Sequence, residues 1–328
     1  MMPNPIDSEQ VLQMSRGFWT SRLILTAAEL DLFDRLPASA EEVADGAGWD
    51  TGALTVLLDA LTALQLIEKQ DEIYSVAPSI APGLGKDPDA SVLPMIGHYN
   101  SLWDKWSQLS HIIRNGREQV QFVFNRDETA LQAFIGGMHV VGRETACKII
   151  SDLKPAWAGR LLDVGGASGT YALEFLKQVP GLSVTLFDLP GVIPMAEARI
   201  ARAGAADRVR FVPGDFYHDT LPGGHDLVWL SAIIHQNSRE QNRELFRKAH
   251  AALVPGGRIW IRDHIMDAAR VHPSAGAVFA VNMLVATPGG STYTFDEVVS
   301  DLASSGFTTP RMIRDGGQMD AVLEAVRP

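Results

Sequence analysis

The spacing of apolar side chains changes along the chain, from a helical pattern to one in which strands and helices alternate. Residues 8–36 carry apolar side chains at mixed three- and four-residue spacing, and Pro37 follows, so we predict a helix that ends before it. Ser39 is placed to cap a short second helix, and residues 52–64 carry leucines along one face of a third. The segment 66–76 is predicted to form a hairpin. Three helices followed by a hairpin are a winged-helix pattern.

The middle and the end of the chain differ from this first part. Residues 95–157 follow a connection rich in Pro and Gly and are mostly helical in pattern. From Arg160 to Asp263, apolar runs of strand length alternate with helical segments, which predicts a mostly parallel sheet with helices on both faces. A helix over residues 294–304 and an antiparallel hairpin made by residues 311–326 are predicted to close the chain.

The stretch from Arg160 to Tyr171, R-L-L-D-V-G-G-A-S-G-T-Y, has the order of a strand, a tight loop and the start of a helix. Glycines permit positive φ angles and a close approach of the backbone to a small molecule, and a helix N-terminus presents N–H groups to it. A dinucleotide-binding loop needs its third glycine one residue further on, where this chain has Thr170. The ligand must therefore be inferred from the neighbouring residues.

Acidic residues close three successive predicted strands. Asp163 precedes the glycine loop, Asp188 ends the next apolar run, and Asp215 follows the third. The carboxyl ends of parallel strands share one edge of a sheet, where open α/β folds bind their ligands. One such Asp is commonly a helix cap or a turn residue, but three in register favour a cofactor site.

This arrangement resembles the class I S-adenosylmethionine (SAM) dependent methyltransferases. The resemblance implies that Asp163 and the glycines hold the amino-acid end of SAM, that Asp188 binds the ribose hydroxyls, and that Asp215 contacts the adenine. Ala167 stands where that family prefers a glycine. The cofactor-binding residues that the resemblance implies are Asp163, Gly165, Gly166, Gly169, Asp188, Leu189, Asp215, Phe216 and Ser231.

His235 follows the fourth predicted strand of the sheet, on the edge where cofactor and acceptor must meet. A single histidine in a polar loop commonly has no chemical task, but this position favours one. Here the resemblance narrows to small-molecule O-methyltransferases of the plant phenolic and hydroxyindole type, and it covers nearly the whole chain. It implies that His235 removes the proton of the acceptor hydroxyl and that Asp263 orients the imidazole. Gln236 and Thr292 stand where that family has acids.

The acceptor pocket is predicted from the same family pattern. The substrate-binding residues that it implies are Phe134, Met138, His139, Asn282 and Met283. His139 and His264 are candidate metal ligands together with His235, but no close spacing such as H-x-x-x-H supports a metal site. We therefore predict no metal.

Charge and composition limit the partners of the chain. A formal net charge of −11 over 328 residues argues against a broad nucleic-acid or anionic-membrane surface. A winged-helix pattern is also typical of DNA-binding regulators, but residues 52–66, the presumed recognition helix, contain no Arg or Lys. Burial against a second copy of the chain explains so apolar a module better, and we predict a homodimer formed through the N-terminal domain.

Two further features concern the location of the protein. No apolar run has membrane-spanning length and no signal segment is recognisable at the N-terminus, so we expect a cytoplasmic location. The single cysteine, Cys147, excludes an intrachain disulfide, and we expect it to be a small buried residue on a helix.

Together these observations predict an α/β protein with a Rossmann-like class I methyltransferase sheet and a closing antiparallel hairpin, preceded by a mostly helical, winged-helix-like dimerisation domain. The expected activity is transfer of a methyl group from SAM to a hydroxyl of a small, aromatic molecule. Transfer to sulfur or carbon, or SAM binding without transfer, remain alternatives, because fold alone does not set the reaction. The predicted regions are residues 1–94 for dimerisation, residues 95–157 as a helical linker that contributes to the acceptor pocket, and residues 158–328 for SAM binding.

Overall fold

The chain divides into two compact units, Met1–Ser101 and Leu102–Pro328. The computed structural model describes residues 6–87, 89–117, 120 and 128–328 of it. The functional division into residues 1–94, 95–157 and 158–328 remains a prediction.

The first unit contains one helix of 22 residues, shorter helices and a three-stranded antiparallel sheet with the strand order β1-β3-β2. Leu58, Leu61 and Ile67 are among the residues of its core. The first helix ends at Glu29, earlier than predicted, because Asp31 adopts a left-handed φ of +50°. Its elements are α1 (Ser8–Glu29), a 3-10 helix (Leu32–Arg35), β1 (Ala38–Ser39), α2 (Ala40–Ala47), α3 (Thr51–Ala63), β2 (Ile67–Gln70), β3 (Ile73–Val76), α4 (Ala81–Leu84) and the start of α5 (Leu93–Ser107).

Two of the helices in this unit start as their sequences predict. The Ser39 hydroxyl accepts the backbone N–H of Glu42, and the Glu42 carboxylate accepts the backbone N–H of Ser39, which is a capping box. Asp50 caps α3 by accepting the N–H of Ala53 at 2.7 Å. These local hydrogen bonds explain why the helix boundaries could be predicted without knowledge of the fold.

The second unit contains the large sheet and the helices that cover it. Strands and helices alternate from β4 to β8 as predicted, except that a loop over residues 214–224 joins β6 directly to β7, and the chain ends in the predicted hairpin. Its elements are α6 (Leu109–Asn115), α7 (Glu128–Leu153), β4 (Arg160–Val164), α8 (Thr170–Gln178), β5 (Ser183–Asp188), α9 (Ile193–Arg202), β6 (Val209–Pro213), β7 (His225–Ser231), α10 (Arg239–Ala252), β8 (Leu253–Asp263), β9 (Ile265–Met266), α11 (Ser274–Ala286), β10 (Tyr293–Thr294), α12 (Phe295–Ser304), β11 (Thr308–Arg314) and β12 (Ala321–Val326).

The seven-stranded sheet has the order β11-β12-β8-β7-β4-β5-β6. Strands β4 to β8 are parallel, whereas β12 runs antiparallel to both β8 and β11. The chain builds outward from β4 to β6 and then returns to place β7 on the other side of β4. The strand order therefore reverses between β4 and β7, which is where open α/β sheets bind their ligands. The predicted fold class is confirmed.

Successive side chains of a strand point to opposite faces of the sheet, so this sheet has one apolar core on each face. Trp229 and Trp260 belong to the core that includes residues of α7 and α8, whereas Leu230 and Ile261 belong to the core that includes residues of α10. This alternation places Arg262 on the face of Trp260 and Asp263 on the face of Ile261. The two polar residues that end β8 therefore serve opposite faces.

Cys147 is exposed on α7, which corrects the expectation that it is buried. The buried side of this helix is formed by Ala146, Ile149 and Ile150, and the residue after Ala146 is turned by about 100° away from that side. Among the described helices, none is both long and apolar enough to cross a lipid bilayer.

Candidate active site

A cleft lies at the carboxyl edge of the seven-stranded sheet, at the reversal between β4 and β7. It is lined by the loop after β4, by the ends of β5, β7 and β8, by the loop after β6, and by one side of α7. Of the predicted cofactor residues, the cleft is lined by Asp163, Gly165, Gly166, Asp188, Leu189, Asp215, Phe216 and Ser231. Gly169 is not in the lining, because it is the N-cap of α8 and faces Ile200.

The glycine loop after β4 packs closely against side chains from neighbouring segments of the protein. Gly165 has a φ of +68°, in the left-handed region that favours glycine. A Cβ atom on Gly165 would lie 2.6 Å from the Ile233 side chain, and one on Gly166 would lie 2.7 Å from Leu186. The sequence suggested that these glycines make room for a ligand, and in the structure they make room for the side chains of Ile233, after β7, and of Leu186, in β5.

Asp163 is a buried carboxyl group at the base of the cleft. Asp163 is only 2% exposed, and its Oδ2 atom has no hydrogen-bond partner among the described residues. Burial, and then the nearby Asp188 carboxylate, raise the pKa of Asp163 to about 7. An unpaired buried carboxylate is costly, so this position suits the cationic group of a ligand.

Asp188 holds the glycine loop in place. Its Oδ2 accepts the backbone N–H of Ala167 at 2.8 Å, and its Oδ1 accepts the N–H of Leu189 at 2.7 Å. Burial raises the pKa of Asp188 to about 6, although both hydrogen bonds act in the opposite direction. Ala167 adopts a φ of +48°, which is a strained angle for a residue with a side chain and marks the departure from glycine seen in the sequence.

Asp215 and Phe216 lie on a short turn after β6. The Asp215 carboxylate accepts the backbone N–H of Tyr217 at 2.8 Å and contacts His218 Nδ1 at 2.9 Å, so it also stabilises its own turn. The Phe216 and Tyr217 rings pack with their centroids 4.6 Å apart. Lys248 of α10 donates to the carbonyls of Phe216 and Tyr217 at 2.8 and 3.1 Å, which anchors the turn to the helix.

Helix α7 contributes Phe134, Met138 and His139 to the cleft. Both ring nitrogens of His139 already have partners. Nε2 lies 2.9 Å from Arg199 Nη1, and Nδ1 lies 2.8 Å from Thr170 Oγ1. Because a guanidinium group only donates, Nε2 accepts and Nδ1 carries the proton that is donated to Thr170.

The other two predicted acceptor residues, Asn282 and Met283, lie on α11 and are not part of the cleft lining. The Asn282 side-chain oxygen accepts a hydrogen bond from Trp106 Nε1 at 3.0 Å, and Met283 is buried.

His235 and Asp263 form a buried pair beside the cleft. His235 lies on a 3-10 turn after β7, with Nδ1 at 2.9 and 3.0 Å from the two carboxylate oxygens of Asp263. Burial acts to raise the pKa of Asp263, but the charge and hydrogen bond of His235 and the N–H of His264 hold that pKa below its usual value. An ionised Asp263 accepts the Nδ1 proton, which leaves His235 Nε2 as the nitrogen with the free lone pair.

His235 itself does not line the cleft, but its neighbours Ile233 and Gln236 do. The imidazole of His235 meets the ring of Phe279 on α11 edge to face, with the centroids 4.9 Å apart. Other residues that the sequence did not predict also line the cleft, among them Tyr171, Tyr217, Arg262 and Met319. Only Arg262 carried a signal in the sequence, as a charge among the apolar residues of β8.

An open sheet whose order reverses at a ligand cleft, with an antiparallel strand before its last edge, is the fold of the class I methyltransferases. Residues 106–308 match the model of the O-methyltransferase domain family, and residues 12–79 match that of the O-methyltransferase dimerisation domain. The chain belongs to the family of SAM-dependent O-methyltransferases.

Similar proteins cover almost the full chain. It is 31% identical to the tetracenomycin polyketide synthesis 8-O-methyl transferase of Streptomyces glaucescens, over 92% of this chain and 91% of that protein. It is also 31% identical to the 3-hydroxy-5-methyl-1-naphthoate 3-O-methyltransferase of Streptomyces sahachiroi, over 92% and 90%. The structure of human N-acetylserotonin methyltransferase in complex with SAM has the same fold, with a TM-score of 0.83, 23% identity and coverage of 100% and 99%.

The cleft fits a SAM molecule in its chemistry. SAM carries a cationic ammonium and sulfonium, a carboxylate, ribose hydroxyls and a flat adenine. The cleft presents the orphaned oxygen of Asp163, the buried carboxyl group of Asp188 and the ring of Phe216. The residues that line it therefore suit both the charged and the aromatic parts of this cofactor.

Proposed function

We propose that this protein transfers a methyl group from SAM to a hydroxyl group of a small aromatic molecule, with His235 as general base. The observation that carries the proposal is the hydrogen bond of 2.9 Å between His235 Nδ1 and Asp263 at the edge of the cleft. SAM supplies a methyl group on a sulfonium that leaves as a neutral thioether. The protein must therefore orient the acceptor, exclude water and remove the hydroxyl proton.

His235 removes this proton through Nε2, because Nδ1 is engaged by Asp263. The imidazolium that forms is stabilised by the Asp263 carboxylate, which also holds the ring in the tautomer that can accept. Phe279 packs against the imidazole and limits its rotation. General base catalysis of this kind contributes about 10²- to 10⁴-fold to a rate.

An aromatic acceptor is supported by the chemistry of the lining. Phe134, Met138 and Ile233 contribute apolar side chains to the lining of the cleft, and Ile233 directly precedes the turn that carries His235. Relatives of this chain are named for a hydroxylated naphthoate and a hydroxylated aminobenzoate. A flat ring between these apolar side chains would present its hydroxyl to the imidazole.

The test is a methyl-transfer assay with isotopically labelled SAM against phenols, hydroxyindoles, thiols and hydroxy acids. We expect label on the oxygen of at least one aromatic acceptor, and a fall in turnover of about 10²- to 10⁴-fold in His235→Ala. The loss should be smallest for the most acidic phenols, because these are already ionised and need no base. His111→Ala, at an exposed position on α6, is the matched control and should keep full turnover.

Two outcomes would reject this proposal in different ways. Label that appears only on thiols or on carbon would reject the hydroxyl acceptor. Equal turnover of wild type and His235→Ala with a weakly acidic phenol would remove His235 from the reaction, while leaving the methyltransferase activity in place.

We further propose that the protein is a homodimer formed through its first unit. Large apolar side chains lie exposed along one side of α1, which is rare for a surface that contacts only water. They are Val11, Leu12, Met14, Phe18 and Trp19. Their spacing places them on one face of the helix, and the match to a dimerisation domain begins at residue 12.

The dimer is tested by measuring the molar mass of the protein in solution. Wild type should have twice the mass of one chain, and Leu12→Glu combined with Phe18→Glu should have the mass of one chain. Gln13→Glu, on the opposite side of the same helix, should remain a dimer. A wild-type mass of one chain at micromolar concentration would reject the proposal.

A further inference from the structure

Arg262 is a buried cation in the cleft to which the proposed reaction gives no role. The residue is 7% exposed and ends β8 on the face shared with Trp260. Its Nη1 donates to Ser231 Oγ at 3.1 Å, and its guanidinium carbon lies 5.3 Å from the centre of the Tyr171 ring. Its Nε atom is buried and has no hydrogen-bond partner in the described part of the chain.

The charge of Arg262 is not balanced by the protein. Within the described ranges, no carboxylate lies at ion-pair distance from its guanidinium group. The carboxylate of Asp320, in the final hairpin, forms its ion pair with Arg314 instead, at 2.7 Å. Burying a charge without a counter-ion is unfavourable, so a ligand anion is the expected partner.

The cleft therefore holds two buried, opposite charges that do not pair with each other. Asp163, the second-last residue of β4, has an orphaned carboxylate oxygen, and Arg262, the second-last residue of β8, has an orphaned Nε–H. Both line the same cleft, on the face where α8 begins. An α-amino acid group carries one ammonium and one carboxylate, and it would satisfy both side chains at once.

We propose that Arg262 binds the carboxylate of the amino-acid end of SAM, while Asp163 faces the ammonium. Ser231 then acts through Arg262, by holding Nη1 so that the planar guanidinium presents its remaining N–H groups to the carboxylate. The proposal rests on the SAM dependence of the family, and the argument below against an acceptor carboxylate also rests on the proposed role of His235.

A carboxylate on the acceptor is the competing partner, and the position of Arg262 disfavours it. Asp263, the next residue, points to the other face of β8, where it meets His235. The acceptor hydroxyl must lie at His235, whereas Arg262 lies beneath α8 with Tyr171 and Ser231. The guanidinium is thus placed on the cofactor side of the strand.

The test compares two ligands by calorimetry without any acceptor. They are S-adenosylhomocysteine, the demethylated product of SAM, and its decarboxylated analogue S-adenosyl-3-thiopropylamine. Wild type should bind the first at least about 30-fold more tightly. Arg262→Met, which keeps most of the side-chain volume, should weaken S-adenosylhomocysteine binding at least about 30-fold and change the affinity for the analogue less than twofold. Arg262→Lys should recover part of the lost affinity, because lysine restores the positive charge but not the planar guanidinium that can donate two parallel hydrogen bonds to a carboxylate.

Arg258→Met is the matched control. Arg258 is on the same strand and face, is paired with Glu324 at 3.1 Å and does not line the cleft, so both affinities should stay unchanged. Equal weakening of both ligands in Arg262→Met would assign a structural role to Arg262 and overturn the proposal. If S-adenosylhomocysteine binding were unchanged and only acceptors that carry a carboxylate bound more weakly, Arg262 would belong to the acceptor site. This result would also overturn the proposal. If wild type bound both ligands equally, no group of the protein would contribute to binding of the carboxylate, and the proposal would be wrong.

Discussion

Two groups of buried polar side chains lie at the carboxyl edge of the large sheet, and they differ in whether the protein satisfies their hydrogen bonds. The Asp263 carboxylate is paired with His235 Nδ1 at 2.9 and 3.0 Å. In the cleft, Asp163 Oδ2 and Arg262 Nε are each buried without a partner among the described residues. The first group is complete in the protein alone, whereas the second is complete only when a charged ligand is present.

This difference has an energetic meaning. A satisfied pair fixes the geometry of a reactive group before any ligand arrives. Unsatisfied buried charges lower the stability of the unliganded protein, and a complementary ligand recovers that loss as binding energy. We therefore expect changes in the pair to alter turnover, and changes in the cleft to alter affinity and stability.

The largest effect is expected from Asp263→Asn. An asparagine amide can donate to His235 Nδ1, which would place the proton on Nε2 and remove the lone pair that accepts the hydroxyl proton. Turnover should fall about 10²- to 10³-fold, while the dissociation constant of S-adenosylhomocysteine changes less than twofold. Asp207→Asn, at an exposed site, serves as the control. A parallel loss of affinity would mean that the two groups are not separate.

Asp188→Ala should have the next largest effect. The change removes the acceptor for the N–H groups of Ala167 and Leu189, and with it the support of the glycine loop. S-adenosylhomocysteine affinity should fall about 10- to 100-fold. Turnover at saturating SAM should fall far less, since His235 and Asp263 do not contact this side chain. A loss of turnover at saturating SAM, with unchanged affinity for S-adenosylhomocysteine, would contradict the distinction between the His235–Asp263 pair and the cleft.

The affinity for S-adenosylhomocysteine should also depend on pH. Asp163 and Asp188 have pKa values of about 7 and about 6 without ligand, and an ammonium group beside them favours their ionised forms. Binding should therefore release protons near neutral pH, and affinity should fall about tenfold from pH 8 to pH 6. Calorimetry in two buffers of different ionisation enthalpy measures both quantities. Affinity that is constant over this range in wild type, or equally steep in Asp163→Asn, would exclude Asp163 as the source.

The smallest effect has the opposite sign. Because the pKa of Asp163 in the folded protein is raised from the usual range of an aspartate to about 7, the folded chain binds more protons than the unfolded chain between about pH 4 and 7. This group therefore makes the unliganded fold less stable as the pH rises through that window. Asp163→Asn should raise the Tm of the unliganded protein by about 2–4 °C at pH 8, and by less at pH 5. A lower Tm at both pH values would show that the carboxylate supports the fold.

The sequence predicted the features that rest on local rules. The strands, the glycine loop and the capped helices follow from periodicity and from side chains that bond within three residues, such as Ser39 with Glu42. The strand-end acids could be found for the same reason, since the end of an apolar run marks the edge of a parallel sheet.

Residues that depend on the register between distant strands could not be predicted in this way. Arg262 reaches the cleft because β8 pairs with β7 so that it lies beside Ser231, and this pairing leaves no mark in the local sequence. Met319 enters the cleft from the final hairpin. Cys147 shows the same limit on a helix, because an error of one residue moves a side chain from the core to solvent.

The exposure of Cys147 offers a use in spectroscopy. It is the single thiol of the chain, so a maleimide fluorophore would attach at one known position without any engineered substitution. The labelled site lies two helical turns from His139 on α7, about 12 Å along the helix axis. A dye at that distance would report ligand entry into the cleft as a change of emission, in real time and without a radioactive methyl group.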